Sequence, residues 1–106
     1  MITVKIHRSN DSYAGFKVVG HAGYAEEGYD IICAAVSVLV VNAVNSIETF
    51  TDDKFAARED HGIVELILEG SVSDKTTLLL DSMILGLRDI QTQYGNDFIR
   101  LKIEEV

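Results

Sequence analysis

Hydrophobic and polar positions alternate at the start of the chain, where Ile2, Val4 and Ile6 are separated by Thr3, Lys5 and His7. A period of two sends one set to a buried face and predicts a half-buried strand. Arg8 to Ser12 is turn chemistry, and Ala14, Phe16 and Val18 then resume the alternation, so residues 2–19 read as a hairpin. From Gly20 to Tyr29 the pattern stops. Three glycines and two glutamates in ten residues predict a loop. Asp30 to Phe50 is rich in valine, but twenty-one residues without Gly or Pro are too long for one strand. Asn42, Asn45, Ser46 and Thr49 fall on one side at helical spacing, and Asp30 is a good N-cap, so the segment is expected to be a helix. It is apolar nearly all round at its start and is expected to be buried there.

Phe55 to Glu59 and Ile63 to Glu69 flank Asp60-His61-Gly62, a second hairpin. Ser73 caps a second helix with Asp74 in its first turn. Leu79, Met83, Leu87, Ile90 and Tyr94 step along one face, and Gly95 stands where a stop is expected. Ile99, Leu101 and Ile103 form a last strand. The order is ββαββαβ, an α+β single domain over residues 1–106 with one mixed or antiparallel sheet and two helices. Strand order does not follow from the pattern.

Composition sharpens this picture. At 106 residues, 47% hydrophobic and 25% charged, the chain has an ordinary globular balance. Its 17 acidic and 9 basic side chains leave a formal net charge of -8. The linear sequence contains no Lys/Arg cluster, so no direct nucleic-acid partner is expected, while encounters with basic proteins or peptides are favoured. The opening MITVKIHRSND has no apolar signal region, and the longest strongly apolar stretch, Ile31 to Val41, is about half the ~20 residues a membrane span needs. The expectation is a cytoplasmic protein that does not enter a membrane. A single cysteine excludes an internal disulfide, a CxxC redox pair and a thiolate zinc site; no metal and no cofactor are expected.

Candidate chemistry lies between Gly20 and Ser37 (GHAGYAEEGYDIICAAVS). With Asp30 as N-cap, Cys33 would be the third helical residue, where unpaired N–H groups and the helix dipole stabilise a thiolate. The same N–H groups could hold the oxyanion of acyl transfer. His21, at a strand end twelve residues earlier, could act as general base and later return the proton to a leaving amine. Asp30 could orient His21. Ser37, one turn beyond Cys33, shares its helix face. Cys33 could equally be a small core residue, and His21 a loop hydrogen-bonder; Tyr24 and Tyr29 could contact substrate or simply pack within the loop.

In combination, Gly20-His21-Ala22, Gly28, Asp30-Ile31, Cys33-Ala34-Ala35 and Ser37 resemble the signature of the bacterial ribosomal-processing cysteine protease family, Prp. The likeness runs over the whole chain. It implies a Cys–His endopeptidase that removes the N-terminal extension of a large-subunit ribosomal protein, the twenty-seventh, cutting after a short apolar, Phe-containing segment. It also implies a homodimer. His21 and Cys33 match the catalytic pair, Asp30 matches the acidic residue near them, and Gly20 and Ser37 match motif positions. The glycines add an expectation that Gly23, Tyr24, Gly28 and Tyr29 belong to a substrate-gating loop. Two other classes stay open on the residues: a non-catalytic ribosome-associated peptide-binding or assembly factor, and a thiol-based redox sensor or metal binder.

Overall fold

The first alternating runs pair as an antiparallel hairpin, β1 (Ile2–Ser9) with β2 (Ser12–Val19), in a register that sets Val4 beside Val18 and Lys5 beside Lys17. At its tip Asn10 and Asp11 adopt φ of 52° and 64°. A two-residue turn with both φ positive has the twist of the strands it joins, and Asn and Asp tolerate that conformation. The chain is seen here as a computed structural model. It describes residues 1–20, 29–60, 62–95 and 97–106, with Tyr29 and Asp30 described in the backbone alone.

Five further elements follow: α1 (Tyr29–Phe50), β3 (Lys54–Asp60), β4 (Ile63–Glu69), α2 (Asp74–Tyr94) and β5 (Ile99–Glu105). The ββαββαβ order and the α+β class agree with expectation. The sheet runs β3-β4-β2-β1-β5 and is mixed: β1 and β5 are parallel, and the other neighbours antiparallel. Each helix therefore links two parallel strands, α1 crossing from β2 over β4 to β3, and α2 from β4 over β2 and β1 to β5. The two crossovers travel in opposite directions along the sheet and start from oppositely directed strands. Right-handed crossovers then place both helices on the same face.

That face is the core. Ile2, Val4, Ile6, Phe16, Val18, Leu66 and Ile99 from the sheet meet Ile32, Val36, Val40, Ala43 and Ile47 from α1 and Leu80, Met83, Ile84 and Leu87 from α2. The α1 residues are spaced by three or four, one stripe of the helix. The start of α1 is consequently not buried all round, as its composition suggested: Ile31 and Val38 point away from the sheet and are 64% and 68% exposed. On α2 the buried stripe lies one row over from the expected one. Thr76, Leu80 and Ile84 join Met83 and Leu87, Leu79 and Ile90 are only partly buried, and Tyr94 in the last turn is exposed. Where the helices meet, the backbone of Gly86 lies against Leu39, and a Cβ there would stand 2.9 Å from the leucine methyls.

By length and composition alone, Ile31–Phe50 could cross a membrane, with a mean hydropathy of 1.9, because the helix carries the apolar stretch past Val41. Its buried stripe instead covers the sheet, which makes it the core helix of this fold. A polar strut ties the other helix to the sheet: the Tyr13 hydroxyl donates to Asp81 Oδ1, with the Arg8 guanidinium 4.7 Å from the ring centroid. Burial, then the Asp81 hydrogen bond, pushes the Tyr13 pKa up to about 12.

The α2 ends follow sequence chemistry. Ser73 Oγ accepts from the Thr76 N–H at 3.2 Å, and the Ser73 N–H and hydroxyl each donate to Asp53 Oδ2 at 2.8 Å. Gly95 closes the helix at φ 93°, donating its N–H to the Gln91 carbonyl at 2.8 Å. Hydrogen bonds from the Thr76 side chain and the Ser73 N–H hold the Asp53 carboxyl below its usual range. A depressed carboxylate contributes stability above its unfolded pKa and loses it as pH falls through the folded one. Ser73→Ala is expected to lower unfolding free energy by about 1 kcal/mol at neutral pH in urea melts. Asp53→Asn is expected to flatten the acid side of the stability–pH curve, and an unchanged acid limb would refute the Asp53 assignment.

Candidate active site

Cys33 lies in the second half of the first α1 turns, half-buried, with its neighbours on the same helix face decided by the core stripe. Val36 and Val40 are pinned into the core. Helical spacing then places Cys33 and Ser37 beside them, along the border between core and solvent. These four residues form one wall of a cavity of about 580 Å³. Gly20, Val18 and Ile2 contribute from the central strands, and Glu59, Asp60, Gly62, Ile63 and Val64 from the β3–β4 hairpin. The floor is aliphatic and the hairpin end is acidic.

The described part of the helix runs from Tyr29, so Asp30 lies inside it. Asp30 therefore does not cap the helix, and Cys33 stands at least five residues into it, not three. The N–H groups without intrahelical acceptors belong to the first turn, before Cys33. Side-chain direction keeps the thiol near them. A helical Cα–Cβ bond tilts toward the N-terminus, so a side chain covers the turn before its own Cα.

Of the residues singled out from sequence, the cavity brings together Cys33, Ser37 and Gly20. His21, Gly23, Tyr24 and Gly28 lie outside the described residues, as do the side chains of Asp30 and Tyr29. Glu59 and Asp60 were missed. Glu59 read as the end of a hairpin strand and Asp60 as the start of its turn, and only the sheet order carries that hairpin end to the cavity mouth. Among the described residues, no group of three or more His, Cys, Asp or Glu side chains is placed to hold a metal ion.

A half-buried thiol at the wall of an apolar cleft, one turn from a helix N-terminus, suits attack on a bound acyl group. A family model described as cysteine protease Prp matches residues 1–99. The chain belongs to that family. The ribosomal processing cysteine protease Prp of Bacillus subtilis is 33% identical over 104 residues, covering 92% of this chain and 93% of that protein. Its counterpart from Staphylococcus aureus is 31% identical over 104 residues, covering 95% and 97%. The S. aureus Prp crystal structure with a substrate peptide superposes with a TM-score of 0.89 at 29% identity, over 98% of this chain and 100% of that one. A second S. aureus Prp structure, with a covalently linked product peptide, gives 0.87 at 30% over the same shares. The fold is thus the Prp fold, and the chain is a cysteine protease of the ribosomal-processing family.

Gly20 acquires a structural reason. Its φ is +116°, and a Cβ would stand 2.3 Å from the Met1 carbonyl oxygen and 3.0 Å from Ile2 Cα, both backbone. Its N–H donates to the Gly62 carbonyl at 3.1 Å, joining the two sides of the cavity. Gly20→Ala is expected to cost about 1–3 kcal/mol of stability. Gly70→Ala, also at positive φ but with nothing within 4 Å, is expected to cost less. Equal denaturation midpoints for the two variants would refute the close-approach argument.

Proposed function

We propose that this protein removes the N-terminal extension of a large-subunit ribosomal protein, the twenty-seventh, by cutting after a short apolar, Phe-containing segment. The observation that carries the reading is that the sole cysteine of a cysteine-protease family member opens on an aliphatic cleft with an acidic end. The aliphatic floor suits an apolar segment, and Glu59 and Asp60 suit the basic chain that follows it. The relatives' names, which specify ribosomal processing, support the substrate class. Such a substrate places the enzyme in the cytoplasm, where ribosomes assemble.

In this reading Cys33 is the nucleophile and His21 the general base. Gly20, covalently next to His21, lines the same cavity as Cys33. His21 takes the thiol proton as Sγ attacks the scissile carbonyl carbon, and N–H groups of the first α1 turn stabilise the oxyanion. Collapse breaks the C–N bond, and His21 returns the proton to the departing amine. Water, deprotonated by His21, then attacks the thioester, releasing the carboxylate product and restoring Cys33. Ser37, one turn along the wall, lines the bound peptide.

A homodimer is part of the proposal. Ile31 and Val38 on α1 and Leu78 and Leu85 on α2 are exposed apolar side chains on the helix layer, the kind of surface that a two-fold contact covers.

Incubation with a basic protein bearing an apolar, Phe-containing N-terminal extension, followed by mass spectrometry, is expected to yield one cut. Cys33→Ala should lower the rate by at least ~10⁴-fold and His21→Ala by about 10²–10⁴-fold, with peptide binding retained. Wild-type cleavage by the His21 variant would refute the pair. Sedimentation at micromolar concentration is expected to give about twice the 11.7 kDa chain mass, and Val38→Glu to move it toward the monomer. A wild-type monomer would refute the dimer.

A further inference from the structure

Register across the sheet assembles a charge pattern that the linear sequence hides. Arg58, Glu65, Lys17, Lys5 and Lys102 are successive partners on β3, β4, β2, β1 and β5, one residue from every strand. Arg100 stands beside Thr3, two residues along from Lys102 on the same face. All point away from the helices, since their alternating neighbours Val4, Phe16, Val18 and Leu66 fill the core. With Lys54, this open face holds six of the nine basic side chains against four of the seventeen acidic ones, Glu65, Glu69, Glu104 and, at the edge it shares with the cleft, Asp60. It carries a formal +2 in a chain of -8, leaving -10 on the remainder.

The middle of the row is the telling part. Lys17, Lys5 and Lys102 are direct neighbours, at a cross-strand separation of about 4.5–5.5 Å between Cβ atoms where like charges destabilise a sheet. Glu65 is the cross-strand partner of Lys17, but the acids on this face pair with other cations. Glu65 is 3.7 Å from Arg58, and Glu104 is 3.7 Å from His7. Among the described residues none forms an ion pair with Lys5, Lys17, Lys102 or Arg100.

We propose that this open face binds the phosphate backbone of duplex RNA. Three adjacent lysines that form no ion pair among the described residues are complementary to a regular array of anions, and duplex nucleic acid supplies one charge per ~1.7 Å of axis. The face holds no Phe, Tyr or Trp among the described residues, so bases would find no stacking platform and the contact is to phosphates. The choice of RNA among phosphate polymers rests on the ribosomal substrate proposed above; the cation row does not. The overall negative charge does not forbid it. The domain is 21–23 Å through its two shorter axes, whereas charge is screened over about 8 Å at physiological salt. A second copy's acidic surface is a weaker candidate, because face-to-back contact is heterologous and builds open chains. Cys33 lies on the helix side, so RNA on the open face would leave the peptide cleft clear.

The test is fluorescence anisotropy of a labelled duplex RNA with the full chain, from 50 to 200 mM salt, alongside phosphatidylserine vesicles and poly-glutamate. Expected is RNA binding whose log Kd rises with log salt at a slope of about 3, for three to four neutralised phosphates. Lys5→Gln/Lys17→Gln/Lys102→Gln should weaken binding at least tenfold at 50 mM salt and flatten the slope, whereas Lys75→Gln on α2 should not. The triple variant should cleave substrate peptide at the wild-type rate, which separates this proposal from the protease reading. Without RNA it should melt at or above the wild-type temperature at low salt, because repulsion is removed. Absent or salt-insensitive RNA binding, equal affinity of the triple variant, vesicle or poly-glutamate binding without RNA binding, or low-salt self-association lost in the triple variant without RNA binding would each overturn the proposal. So would a melting temperature below wild type.

Discussion

Burial of one stripe of α1 against one face of the sheet is the constraint from which the rest of the molecule follows. Ile32, Val36, Val40, Ala43 and Ile47 leave water together, each large side chain contributing about 1.5–3 kcal/mol of transfer free energy. With that stripe seated, the helix cannot rotate, and every other position on it is assigned. Cys33 and Ser37 fall on the border of the core, where a side chain meets both packed wall and open cleft. Ile31 and Val38 fall on the outside. A rotation of the helix by one residue, about 100°, would take Cys33 out of the cavity. The position of Cys33 is thus a by-product of core packing, and it has the rigidity of the core.

The sheet supplies the complementary constraint. Because side chains alternate, a strand that offers Val4 to the core must offer Lys5 to the other side. Handedness puts both helices on one face, so no described element covers the second face, which collects the other set of residues from each strand. Gly20 and Gly62 meet at the edge of this arrangement, backbone to backbone, and close the wall opposite α1. The cleft is therefore built by the meeting of two hairpins and one helix, with only small residues where backbones must touch.

Much of the architecture was legible in short patterns. Period-two runs marked β1, β2 and β5. Ser73 and Gly95 marked the limits of α2, and Asn10-Asp11 lay within the predicted turn. These signals are local: each depends on residues within one turn or one strand. The start of α1 misled for the same reason. Asp30 has good capping chemistry, but the helix already includes Tyr29 and takes Asp30 inside it, an end effect that chain neighbours alone do not settle. Valine-rich composition at the start of α1 likewise implied burial all round, whereas a helix packed on one sheet buries one stripe.

By itself the sequence determined the element order, the α+β class, the lone cysteine near a helix start and the family that its surrounding motif resembles. It could do so because hydrophobic period, cap chemistry and motif spacing are properties of contiguous residues. Only the tertiary structure decided the strand order, the cleft shared by Cys33, Gly20 and Glu59, and the row that joins Lys17, Lys5 and Lys102. Lys5 and Lys102 are ninety-seven positions apart in the chain, and no local rule connects them. Their meeting depends on β5 returning parallel to β1, which follows from the crossover of α2 and from the burial of Ile99 beside Ile2.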